Sequence, residues 1–192
     1  MLNVILVSTG VVALAEFGDK TQLLALLLAA RFRKPLPIIA GITVATLANH
    51  AAAAALGSWV SSMLGPTLLR WLLGLSFIAM AAWILRPDQL DEPLSAGSRR
   101  GAFVTTLIAF FLAEIGDKTQ IATVALAARY QASIAVILGT TLGMLLANVP
   151  AVLAGDRLAR HVSLRWMRSI AAALFGVLGL LTLAGAGQRF GF

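Results

Sequence analysis

The chain contains no cysteine. That single absence removes disulfides, thiolate metal sites and cysteine nucleophiles. Charge is scarce as well: 12% of the 192 residues are charged, and only 8 are acidic. A soluble domain of this length needs a much larger polar surface. There are two histidines, His50 and His161, with no metal-ligand spacing between them. An intramembrane metal-dependent hydrolase would want histidine-rich or serine-based motifs near the interface, and none is seen. No enzyme activity is expected. A purely structural scaffold would have no reason to duplicate the buried acids described below.

What the chain does have is apolar length. Hydrophobic residues make up 59%, and mean hydropathy is +0.90. The apolar residues cluster into long runs, as membrane-crossing helices of about 20 residues require. Six runs are read as spans: Val4–Ala30, Leu36–Gly57, Thr67–Leu85, Ala102–Ala128, Ser133–Ala154 and Arg168–Ala186. The first and fourth are longer than a crossing needs and carry polar residues at their centres, which predicts a kink or tilt. The N-terminal Met1-Leu2-Asn3-Val4 has neither a basic leader nor a cleavage site, and reads as the start of a span. The net charge of +7 does not indicate nucleic acid, because the basic residues flank the apolar runs.

The chain repeats itself. At an offset of 98 residues, Glu16-Phe17-Gly18-Asp19-Lys20-Thr21-Gln22 falls on Glu114-Ile115-Gly116-Asp117-Lys118-Thr119-Gln120. The same register places Ala29-Ala30-Arg31 on Ala127-Ala128-Arg129, Gly41 on Gly139, Thr43 on Thr141 and Gly57 on Gly155. Residues 1–85 and 101–192 are therefore read as two three-helix repeats. The turn-rich stretch 86–100, with Pro87 and Pro93, joins them. An odd number of spans per repeat inverts the second relative to the first. The fold class expected is all-α integral membrane, six transmembrane helices as two inverted repeats, with the binding site at the repeat interface near the midplane.

Orientation follows from the basic residues. Arg31, Arg33, Lys34, Arg86, Arg99, Arg100, Arg157, Arg160, Arg165 and Arg168 lie on one set of loops, against Arg70, Arg129 and Arg189 on the other. The arginine-rich loops belong in the cytoplasm, with both termini outside. Trp59, Trp71, Trp83 and Trp166 lie near span ends, as interfacial anchors do.

Every acid within the spans belongs to the repeated motif: Glu16, Asp19, Glu114 and Asp117. Side chains three apart on a helix share a face, so each Glu–Asp pair should point together. Lys20 lies ten residues from the nearer end of its span, roughly 15 Å at the helical rise, too far for its side chain to reach the interface. Ionisable groups at that depth mark a pathway or a site. Inverted symmetry should bring the four carboxylates together, with oxygens of Thr21, Thr119, Gln22 or Gln120 nearby. Hard oxygen donors suit Mn²⁺, Ca²⁺ or Mg²⁺. Four carboxylates with Lys20 and Lys118 sum to −2, which one divalent cation cancels. The plainer reading is that each lysine bridges the acid four residues before it and locks the helix, but this leaves two buried negative charges uncompensated. A proton neutralises a carboxylate as a metal does, so protons and metal compete for the same oxygens. Cation/proton antiport is the transport mode expected.

Gly18 and Gly116 allow a kink that would free backbone carbonyls at the motifs. Asn49, His50 and Asn148 are the next most polar interior positions, read as possible ligands or proton relays and, more simply, as hydrogen-bonding partners between helices. Pro150 should kink the fifth span, Pro35 and Pro37 mark the start of the second, and Gly139 with Gly143 suggests close packing.

Two copies of Glu-x-Gly-Asp-[Lys/Arg]-[Thr/Ser], one in each half, resemble the signature of the Gdt family of cation transporters, a distant relative of the lysine exporter superfamily. The resemblance covers essentially the whole chain. It implies movement of Mn²⁺ or Ca²⁺ in exchange for protons, with the acidic motifs as the ion pathway and no cofactor beyond the transported ion. The chain lacks the leading segment of eukaryotic members and looks like a bacterial inner-membrane version, for which the resemblance implies manganese export. The rival reading is an exporter of a cationic organic solute such as an amino acid, whose site would have fewer carboxylates and more room. Partners expected are the cation, the proton and the lipid bilayer. Nothing in the sequence sets the oligomeric state.

Overall fold

A computed structural model describes residues 1–86, 101–154 and 164–185. The linker beyond Arg86, and Arg99, Arg100, Arg157, Arg160, His161 and Arg189, lie outside the described residues. Among the described residues the chain is all helix with no strand. The helices are α1 (Leu2–Glu16), α2 (Lys20–Phe32), α3 (Pro35–Met63), α4 (Pro66–Ile84), α5 (Ala102–Glu114), α6 (Lys118–Tyr130), α7 (Ser133–Ala154) and α8 (Leu164–Leu183).

The local signals explain most boundaries. Pro35 and Pro66 stand at the first turns of α3 and α4, where a missing N–H costs nothing. Arg33 and Gln131, at φ 52° and 50°, end α2 and α6 in the left-handed conformation, and each donates its amide to the carbonyl four residues back. Pro150 sits inside α7, which continues through it to Ala154.

The first and fourth expected spans are not single helices. Each breaks at its motif into α1–α2 and α5–α6. The cause is local: Gly18 and Gly116 take φ of 78° and 74°, a region open to glycine and closed to the right-handed helix. The α1–α2 pair bends by 74° across its break. Of the six spans expected, α3, α4 and α7 are single helices long and apolar enough to cross a membrane, and the bent α1–α2 pair makes a fourth if counted as one span. The second span extends beyond its expected end at Gly57, to Met63. The chain is thus an all-helical, multi-pass membrane protein. Its outer surface agrees, with large apolar side chains such as Leu6, Leu75, Leu146 and Leu180 each more than half exposed. The four tryptophans are likewise open, from 37% for Trp83 to 71% for Trp166.

The 98-residue offset recurs in the structure. Lys20 and Lys118 open α2 and α6, and Pro35 and Ser133 open α3 and α7. Packing crosses between the halves: α3 lies on α5 and α6, α7 lies on α1 and α2, α3 meets α7, and α4 pairs with α8. The contacts themselves correspond. A Cβ on Gly41 would stand 2.9 Å from the Phe103 carbonyl oxygen and from Thr106 Cβ, and one on Gly139 would stand 2.6 Å from the Ile5 oxygen and 2.8 Å from Ser8 Cβ. Phe103 and Thr106 are Ile5 and Ser8 advanced by 98.

These distances leave no room for a methyl group. Gly139→Ala should destabilise the protein by about 1–3 kcal/mol through overpacking of α1 against α7. Gly10→Ala, with nothing within 4 Å of the added carbon, should be neutral or slightly stabilising. Thermal melting of the two variants in detergent tests this, and equal melting temperatures would show that the close approach does not matter.

Candidate metal centre

Glu16 is the last residue of α1, and Asp19 caps the start of α2. The two acids therefore do not share a helical face, as their spacing had suggested. They are brought together by the turn between them, where the Asp19 amide donates to the Glu16 carbonyl at 3.0 Å. Glu114 and Asp117 repeat the arrangement, with the amide bond at 3.2 Å. Asp19 and Asp117 have nearly the same backbone, φ −82° and −79° with ψ 167° in both. Neither carboxylate folds back to cap its own helix, so both are available across the bundle.

Each motif holds itself in shape. The Gln22 side-chain oxygen accepts from the Gly18 amide at 3.0 Å, and Gln120 does the same for Gly116 at 2.8 Å. The glutamines thus serve the broken backbone, satisfying an amide that the missing helical turn leaves open. Thr21 Oγ1 donates to Glu16 Oε2 at 2.5 Å, and Thr119 Oγ1 to Glu114 Oε2 at 2.8 Å. The threonines fix the orientation of the glutamates.

The lysines act between motifs. Lys20 Nζ lies 3.0 Å from Asp117 Oδ1, and Lys118 Nζ lies 2.5 Å from Asp19 Oδ1. The bridges four residues apart, weighed as the plainer reading, are replaced by pairs that join the two halves. The break explains this, because it removes the regular turn that would set Lys20 above Glu16. The pairs differ in burial: the Lys118 side chain is 5% exposed and that of Lys20 is 26%.

All four acids are buried, none more than 3% exposed. Oxygens of Glu16, Asp19 and Asp117 lie within 4.8 Å of one another. Glu114, expected at the same point, stands outside that group of three, buried and held by Thr119. Glu16 Oε1, Glu114 Oε1 and Asp117 Oδ2 are buried with no hydrogen-bond partner among the described residues. Such oxygens are expensive to keep from water, and a cation seated among them would satisfy them. Donors around an ion at about 2.1–2.5 Å stand roughly 3–5 Å from one another, which the spacing of the three acids meets. Helix ends add to the field: the carbonyl ends of α1 and α5 favour a cation, and the amide ends of α2 and α6 favour the aspartates.

Two further polar positions tie the halves together. Gln22 Nε2 donates to the Ala147 carbonyl of α7, and Asn49 Nδ2 to the Phe111 carbonyl of α5, both at 3.1 Å. These two carbonyls could not be found from the sequence, because any residue offers one. Asn148 donates to the Met144 carbonyl within its own helix at 3.1 Å. His50 is fully buried, with neither ring nitrogen hydrogen-bonded to any described residue.

Comparison with known proteins meets this geometry. The family model for the divalent cation/proton antiporter GDT1 matches residues 4–92 and again 102–189. The chain belongs to that family. This GDT1-family protein is 57% identical over 183 residues to a Vibrio cholerae protein named "Putative manganese exporter", covering 95% of this chain and 91% of the relative. It is 28% identical over 202 residues to GDT1-like protein 3 of Oryza sativa subsp. indica, covering 91% of this chain and 71% of the relative. No solved structure matches. The GDT1 family is one of antiporters, so the chain is a transporter, not an enzyme.

Proposed function

We propose that this protein exports Mn²⁺ from the bacterial cytoplasm in exchange for protons, through a site built from Glu16, Asp19, Asp117 and Glu114. The observation that carries the reading is the buried trio of carboxylates drawn from both halves of the chain. A donor set of hard oxygens takes Mn²⁺ or Ca²⁺, and the relative from Vibrio cholerae points to Mn²⁺. An aliphatic cationic solute would need space between carboxylates that the 4.8 Å cluster does not leave.

Six spans, as inverted repeats over residues 1–85 and 101–192, are the architecture for this task, with each bent pair counted as one span. The constant offset of 98, the crossed packing and the doubled family match support it. The termini lie outside and the arginine-rich loops in the cytoplasm of an inner-membrane protein. In the ion-free state the two ammonium groups neutralise part of the cluster. Entry of Mn²⁺ displaces them from the aspartate oxygens, and the halves rock about the site to expose it on the other side. Protons then occupy the carboxylates for the return, so the site never crosses the bilayer with its full negative charge. Thr21, Thr119, Gln22 and Gln120 hold the motifs in shape throughout, and Asn49 and Gln22 tie α3 to α5 and α2 to α7.

The test is purified protein in proteoliposomes with a pH-sensitive dye inside. Mn²⁺ added outside should drive proton efflux that lysine and arginine do not inhibit. Absence of a metal-dependent proton flux, or inhibition by those amino acids, would remove this reading.

A further inference from the structure

Away from the acidic cluster, three helix ends meet around a cavity of about 480 Å³. Pro66, Thr67 and Arg70 come from the start of α4, Arg129 and Gln131 from the end of α6, and Thr182 from the end of α8. Among the described residues, no acid lines the cavity. Neither arginine takes part in an ion pair among the described residues. The start of α4 lacks a side-chain cap, because Gly65 precedes Pro66. The amides of Thr67 and Leu68 therefore open the helix with no intrahelical acceptor. At the carbonyl ends of the other two helices, backbone amides already serve some of the acceptors. Ala127 accepts from Gln131 at 3.0 Å, Leu180 from Ala184 at 2.9 Å and Thr182 from Gly185 at 3.1 Å. The two arginines, without an acid partner among the described residues, come from different helices and line one space.

We infer that this cavity binds a phosphate group, the chemistry shared by an anionic phospholipid headgroup and free phosphate. Two guanidinium forks suit phosphate oxygens in bidentate fashion, and the open amides and positive end of α4 add to the same attraction. The location favours the lipid. Helix ends of a membrane-spanning bundle lie at headgroup depth, and the wall also contains the half-buried Leu69, which an acyl chain can cover. The site is independent of the metal reading, and a failed transport assay leaves it untouched.

Native mass spectrometry of the full chain in detergent, with phosphatidylglycerol and phosphatidylcholine offered together, tests the inference. Wild type should retain phosphatidylglycerol in preference. Arg70→Gln/Arg129→Gln should retain roughly tenfold less, whereas Arg86→Gln, at the opposite end of α4, should match wild type. A parallel melting experiment with inorganic phosphate separates the sources. Lipid preference without a phosphate-induced shift assigns the headgroup. A shift in wild type that the double variant lacks, without lipid preference, assigns the free anion. Equal behaviour of wild type and the double variant in both arms overturns the inference, as does an equal loss in Arg86→Gln. If the double variant yields no folded protein, Arg129→Gln alone carries the comparison.

Discussion

Asp117→Asn is expected to reduce Mn²⁺-driven proton flux to the level of empty vesicles while the protein still inserts and folds, and Asp19→Asn to do the same at a larger loss of stability. The shared loss follows from geometry. Both aspartates belong to the group whose oxygens lie within 4.8 Å of one another, and an amide offers one neutral acceptor where the ion needs a charged one. The unequal stability follows from the lysines. Asp19 faces Lys118, whose side chain is 5% exposed, while Asp117 faces Lys20 at 26%. Removing one partner of a buried pair costs about 3–5 kcal/mol, because the remaining charge stays out of water. Lys20 recovers part of that from solvent. Asp19→Asn/Lys118→Met should therefore regain melting temperature without regaining transport, which separates loss of function from loss of fold. Normal transport by either single variant would show that the two halves do not share one site.

The duplication of the motif was legible in the sequence because a single offset aligned two acidic motifs and the glycines and alanines behind them. The structure keeps that offset in the starts of two pairs of helices, α2 with α6 and α3 with α7. The break at each motif was only half legible. Gly18 and Gly116 suggested a kink, but apolar residues on either side read as one span, and hydropathy does not register a change of φ at one residue. Everything that depended on an unbroken helix consequently differs: the common face of Glu16 and Asp19, and the bridge between Glu16 and Lys20. The crossed ion pairs were illegible for another reason. Spacing along a helix predicts neighbours within it, whereas Lys20–Asp117 and Lys118–Asp19 depend on how α1, α2, α5 and α6 meet. The unequal placement of Glu16 and Glu114 was hidden for the same reason, since identical motifs read identically until their surroundings differ.

Lys118→Met should lower the melting temperature of the metal-free protein and enlarge the upward shift produced by Mn²⁺. Counted as ionised, the four motif acids and two lysines sum to −2, and the substitution makes the sum −3. The methionine keeps most of the side-chain volume, so the principal change is the loss of an ammonium 2.5 Å from Asp19 Oδ1. With less internal positive charge, the carboxylates repel one another more strongly when the site is empty and hold a divalent cation more tightly when it is filled. Ligand that binds only the folded protein at one hundred times its Kd stabilises it by about 2.7 kcal/mol, and tighter binding raises that figure at the same Mn²⁺ concentration. Lys20→Met should show the same pattern with a smaller amplitude, because its more exposed ammonium already shares its charge with solvent. Tighter binding does not mean faster transport. In the proposed cycle the lysine also competes with the ion for aspartate oxygens, and that competition would help the site let go on the far side. Turnover in proteoliposomes should therefore fall in Lys118→Met while the Mn²⁺ concentration for half-maximal flux falls with it. Melting curves with and without Mn²⁺, read beside that flux, decide the matter: an unchanged metal shift would mean that Lys118 stabilises the fold and takes no part in the charge balance of the ion site.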